Sequence, residues 1–138
     1  MRREDLVREL DFIAATETRD AAGRRLVPAG IDVSAFRACP AVLLEHSWQR
    51  EVGRVIALRL KDGALVGSMK VLARGLNREL DALGPALLTG VAGLSVALLP
   101  KPGQHDSAWL EEISLVRNPG CKDARITALH PSEWRIRP

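Results

Sequence analysis

The sequence predicts a mainly β domain with one or two helices, and three observations carry that expectation. Two alternating apolar runs meet at Asp62-Gly63, leucines recur at helical spacing from Leu76 to Leu87, and the other apolar runs are short and punctuated by Pro and Gly. With 138 residues, 46% of them hydrophobic, the chain has enough apolar material for one domain, 1–138, with a real core.

Taken in order, residues 10–16 form a first strand. Asp20-Ala21-Ala22-Gly23 supplies a turn before Leu26-Val27, and Pro28-Ala29-Gly30 makes a break. Residues 41–44 form a short buried strand. The strongest local signal is a hairpin with arms 53–61 and 64–71, because Asp-Gly suits the positive φ angles of a two-residue turn. Alternation places Ile56, Leu58 and Leu60 on one face of the first arm, and Leu65, Met69 and Val71 on one face of the second, which makes Met69 a core residue. Leu76, Leu80, Leu83 and Leu87 then mark an amphipathic helix, which Gly84-Pro85 should end or kink. Residues 94–99 and 109–116 are strand-like around a loop at 100–107, and 125–129 is a last short strand.

Charge and composition exclude several classes. The 20 basic and 17 acidic residues, net +3, are scattered, and only 125–137 is locally basic, so no nucleic-acid stripe is present. Trp48, Trp109 and Trp134 lie too far apart in sequence for a base-stacking platform, and core or rim packing accounts for them. The charged start Met1-Arg2-Arg3-Glu4-Asp5 and the lack of any stretch near ~20 apolar residues predict a cytoplasmic protein without a membrane span. Cys39 and Cys121 make no disulfide framework and are expected as free thiols. Those cysteines with His105, His130, Asp106 and Asp123 lack the close spacing of zinc ligands, so no metal or other cofactor is expected. A Ser95, Asp123, His130 order would suit an α/β-hydrolase, but the chain is too short for that sheet and lacks its strand-helix alternation.

Three residues could carry chemistry. His46 ends an apolar run where a buried strand emerges, a good position for a base, although a lone histidine is usually an ordinary hydrogen-bonded residue. Ser95 lies in Gly93-Leu94-Ser95-Val96-Ala97; the strand-like residues continue past it, so it is no nucleophile elbow, and Gly93 would admit a close neighbour. Period two groups Glu112 with Leu110, Ser114 and Val116, with Glu111 opposite, so one glutamate must face apolar surroundings. Such a carboxylate needs a partner: it either orients a histidine or joins a structural ion pair.

Together these stretches resemble the prohead (capsid maturation) proteases of tailed phages, relatives of the herpesvirus assemblin proteases, over roughly residues 10–129. The likeness rests first on the Asp20 to Gly23 turn and on Pro40-Ala41-Val42-Leu43-Leu44-Glu45-His46 followed by Val52-Gly53-Arg54-Val55. It continues with Leu87-Leu88-Thr89-Gly90 running into Gly93-Leu94-Ser95, where Val96-Ala97 departs from the family's Gly-Phe. Glu112-Ile113-Ser114-Leu115-Val116, Asn118-Pro119-Gly120 and Ala124-Arg125-Ile126 complete it.

The resemblance implies a closed β-barrel core flanked by helices and a catalytic His46, Ser95 and Glu112, the last standing where the herpesvirus relatives carry a second histidine. It also implies that the segment 117–122 lies near the oxyanion, with Arg117 as its representative. The implied activity is serine endopeptidase cleavage of capsid and scaffolding protein segments, and of the protease itself, inside an assembling prohead. A homo-oligomer is implied as well. The rival expectation is a capsid-assembly protein that keeps the fold and cleaves nothing.

Overall fold

The elements follow the alternation of apolar runs closely. In the computed structural model, which describes residues 2–19, 25–104, 106–120 and 123–129, they are β1 (Leu6–Ala15), β2 (Thr18–Arg19), β3 (Arg25–Leu26), β4 (Ile31–Asp32), α1 (Ser34–Ala38), β5 (Ala41–Leu44), β6 (Ser47–Lys61), β7 (Ala64–Leu72), α2 (Arg78–Thr89), β8 (Gly93–Pro100), β9 (Ala108–Val116) and β10 (Arg125–Leu129). The architecture is mostly β, as expected. The turn predicted at Asp20 to Gly23 lies outside the described residues, as do His105, Cys121, His130 and Trp134. Pro28–Gly30 is a short 3-10 turn at the predicted break.

The Asp62-Gly63 hairpin forms, with φ of 51° and 79° at its two turn residues. Its second arm buries Leu65, Met69 and Val71 as predicted, with Met69 fully enclosed. The first arm departs from simple alternation. Val55 pairs with Met69 and Ala57 with Ser68, so Ile56 is an extra residue in a bulge. Val52, Val55 and Leu58 are therefore buried, while Ile56 and Leu60 are 50% and 53% exposed.

Helix α2 is capped by Asn77, whose side chain accepts from Leu80 N–H at 2.9 Å, and it ends at Gly90 in a left-handed conformation. Leu80, Leu83 and Leu87 form its buried stripe, whereas Leu76 precedes the helix and is exposed. Gly84-Pro85 does not stop it. Pro85 lies on the exposed face, where the carbonyl freed by its missing N–H can meet water. Arg8, 2% exposed, ties β1 to the helix: its Nε donates to Leu72 O at 2.5 Å and its Nη2 lies 3.2 Å from Asp81 Oδ1.

The main sheet runs β10-β1-β7-β6-β5-β9-β4, and β8 pairs with the other edge of β9. It is not closed into a barrel, which corrects the expectation of a closed core. β8 passes close to β1 and β10 without forming a ladder to either. Side chains bridge the opening: Val96 and Leu98 of β8 and Ile126 of β10 pack on the same core as Leu10, Phe12, Met69 and the α2 leucines. One consequence matters for function. β9 is paired on both sides and carries β8 and β5 as neighbours, so residues from both strands meet on its outer face.

Candidate active site

β9 organises the site through a bulge. Ala97 of β8 pairs with Glu112, but Leu98 pairs with Leu110, so β9 spends an additional residue at this point. Leu110, Ile113 and Leu115 can consequently all enter the core, at 2%, 0% and 0% exposure. Strict alternation had placed Leu110 on the face of Glu112; the bulge separates them. Glu112 and Ser114 turn to the face opposite the core leucines, where Glu112 is half-buried and Ser114 buried, and Glu111 is exposed.

Ser95 joins that face because it pairs directly with Ser114, and directly paired antiparallel residues project to the same side. It is half-buried. A side chain at Gly93, two residues earlier, would meet Pro119 Cγ at 3.5 Å, an ordinary contact, so the glycine is not required there by a close backbone.

His46 arrives from the opposite side. β5 runs parallel to β9, with Leu43 beside Ser114 and Leu44 beside Leu115, and the chain then reverses through Glu45-His46 into β6. Both turn residues have positive φ, 51° and 62°, the geometry that a two-residue hairpin demands but that side chains other than Asn, Asp and Gly seldom adopt. The reversal aims the imidazole back across β9. His46 Nδ1 lies 2.5 Å from Glu112 Oε1, which also accepts from Ser114 Oγ at 2.6 Å.

The donors in this chain can be assigned. A carboxylate oxygen only accepts, so Ser114 O–H and His46 Nδ1–H both donate to Glu112. The neutral imidazole then has its lone pair at Nε2, free to take a proton. Glu112 is 13% exposed and His46 49%, so the acceptor is sheltered while the base stays open to a ligand. No hydrogen bond joins Ser95 to His46 among the described residues. The three sequence candidates thus share one face, with His46 and Glu112 in contact and Ser95 set beside Ser114.

Arg117 follows β9. Its backbone N–H donates to Glu45 Oε1 at 2.5 Å, and Glu45 N–H donates to Leu115 O at 2.9 Å. Glu45 and Ser114 are site residues that sequence reasoning missed. Ser114 had been counted only as a neighbour of Glu112; its pairing with Ser95 depends on the strand register. Glu45 stands in the motif that ends at His46, but nothing local marks its role, which requires contact with Leu115 and Arg117 far along the chain.

A groove of about 520 Å³ opens beside Glu112, lined by Phe36 and Cys39 next to Trp48, Leu99 and Trp109. Trp48 is 63% exposed and Trp109 half-buried, so the fold brings two tryptophans that are distant in sequence to the rim of one groove. At the far end, Lys101 Nζ sits 5.3 Å from the Trp109 ring centroid and 3.0 Å from Asp32 Oδ2. Ser34, through both its N–H and its hydroxyl, and Lys101 donate to Asp32, which holds that carboxyl well below the usual carboxylate range. Cys39 is an exposed free thiol.

No family model matches the sequence, and no curated protein matches it. Solved structures do. The protease of Kaposi's sarcoma-associated herpesvirus bound to a hexapeptide phosphonate inhibitor superposes with a TM-score of 0.55 at 13% identity, over 83% of this chain. This chain spans only 61% of that protein's length. Two structures of the same herpesvirus protease with allosteric inhibitors give TM-scores of 0.56 at 14% and 15% identity, covering 88% and 93% of this chain and 75% and 79% of theirs. At such identities the likeness concerns the fold. The chain therefore has a herpesvirus-protease-like fold, built on an open sheet.

Proposed function

We propose that the chain is a serine endopeptidase in which Ser95 is the nucleophile, His46 the general base and Glu112 the residue that orients His46. The carrying observation is the Glu112 Oε1 to His46 Nδ1 contact at 2.5 Å on the sheet face that also presents Ser95. A carboxylate at Nδ1 fixes the tautomer whose Nε2 accepts a proton, which is the function of the acid in any such triad. Ser95 Oγ would attack the scissile carbonyl carbon while its proton passes to Nε2. The C–N bond then breaks, the departing amine takes that proton, and water releases the acyl group from Ser95 by the same path.

The apolar groove beside Glu112 suits the side chains of an extended peptide better than a small polar substrate. Arg117 contributes less directly than its place after β9 suggested: its N–H is engaged by Glu45, which leaves its exposed guanidinium as the group it can offer a developing oxyanion. Within this reading, the substrates are capsid and scaffolding protein segments and the setting is phage prohead maturation in the cytoplasm, on the strength of the sequence resemblance. The test is incubation with a mixed peptide pool. New termini detected by mass spectrometry, absent with Ser95→Ala, support the reading; cleavage that survives in Ser95→Ala refutes it.

One observation favours a second reading, a capsid-assembly protein that retains the fold without cleavage: Ser95 makes no hydrogen bond to His46 among the described residues. Catalytic contacts commonly tighten only when substrate binds, so the enzymatic reading is kept first. Complete absence of cleavage across protein concentrations would favour the second.

A further inference from the structure

We propose that Glu45 is a positioning residue for His46, clamping the histidine turn to the strand that carries Glu112. The kinetic consequence rests on the serine-protease reading; the geometric one does not.

Two successive residues with side chains occupy the left-handed region at the tip of the β5–β6 hairpin, Glu45 at φ 51° and His46 at φ 62°. Such conformations persist only where the surrounding structure over-determines them. Glu45 supplies that restraint twice. Its N–H donates to Leu115 O at 2.9 Å, and its carboxylate accepts the N–H of Arg117 at 2.5 Å, a charge-assisted bond of the stronger kind. Leu115 belongs to β9 and Arg117 follows directly, so both anchors lie on the chain that presents Glu112.

The imidazole needs this. His46 is 49% exposed, so burial alone does not fix the ring, and its hydrogen bond helps set its orientation. The contact to Glu112 fixes one ring atom. The Glu45 anchors fix the backbone from which the ring swings, and without them Nδ1 can leave Glu112 by a small rotation of the tip. Rate losses near a hundredfold follow from misplacements of about 1 Å in reacting groups.

Glycine separates strain from positioning. Glu45→Gly relieves the left-handed backbone but deletes the carboxylate, whereas Glu45→Gln keeps a carbonyl acceptor for Arg117 N–H. Two quantities are measured on each variant: the rate of fluorophosphonate labelling at Ser95, and the NMR signal of His46 Nδ1–H, assigned by its loss in His46→Ala. In Glu45→Gly the urea midpoint should hold while labelling slows about tenfold or more and the Nδ1–H signal exchanges out with water. Glu45→Gln should label within about threefold of the parent and retain the signal. Parent-rate labelling of Glu45→Gly with an unchanged Nδ1–H signal would overturn the proposal. If the parent itself fails to label while the Gly variant still loses the signal, the protease reading fails and the positioning role stands.

Discussion

Glu112 is the residue on which the site turns, because its Oε1 serves His46 and Ser114 at once. Glu112→Gln keeps the size but offers the imidazole a weaker acceptor and a competing N–H₂ donor, so His46 loses its fixed tautomer. Labelling of Ser95 should fall by about 10²- to 10⁴-fold, read as a second-order rate, with the folded state intact by circular dichroism. Ser114 is fully buried, and Ser114→Ala would leave the sheltered carboxylate one donor short. That should cost about 1–2 kcal/mol of stability in urea and lower the labelling rate less than Glu112→Gln does. The sequence points to His46, Ser95 and Glu112 together only through its resemblance to known proteases, since no local spacing joins them. The contact of His46 with Glu112 is not legible there, since it depends on β5 lying parallel to β9, a pairing between segments some 70 residues apart.

At the scale of elements, two bulges decide which side chains are inside. Period-two reading put Ile56 with Leu58 and Leu110 with Glu112; one extra residue in β6 and one in β9 reversed both groupings. A bulge has no local signature as plain as Asp-Gly, so the hairpin was readable and the bulges were not. Exposed Ile56 should accept Ile56→Lys within about 0.5 kcal/mol, whereas Leu58→Ala, at 8% exposure, should cost about 2–4 kcal/mol; urea midpoints distinguish the two. Helix α2 teaches a similar lesson. Pro85 was a local stop signal, but the buried Leu87 two residues past it and the left-handed cap at Gly90 carry the helix through. Asp32 links β4, α1 and the residue after β8. Its carboxyl is depressed in the folded state, so its contribution is fully present above the ordinary value near 3.8 and is lost as the pH falls below it. Asp32→Asn should therefore flatten the loss of stability below about pH 4 and leave the pH 6 to 8 region level, as followed by urea unfolding across pH.

For the whole molecule, the fold class was legible because short alternating runs admit little else, while closure was not: whether two neighbouring strands such as β8 and β10 pair is a long-range matter that no local pattern encodes. With the seam open, the outer face of β9 still receives Ser95 from one neighbouring strand and His46 from the turn beyond the other. If that face is an active site, the chain carries one activated serine. Reaction with a fluorophosphonate probe, followed by mass spectrometric location of the adduct, tests this most directly. The expected result is an adduct on Ser95 that disappears in His46→Ala as well as in Ser95→Ala. An adduct on any other serine, or one on Ser95 that forms equally fast in His46→Ala, would contradict it.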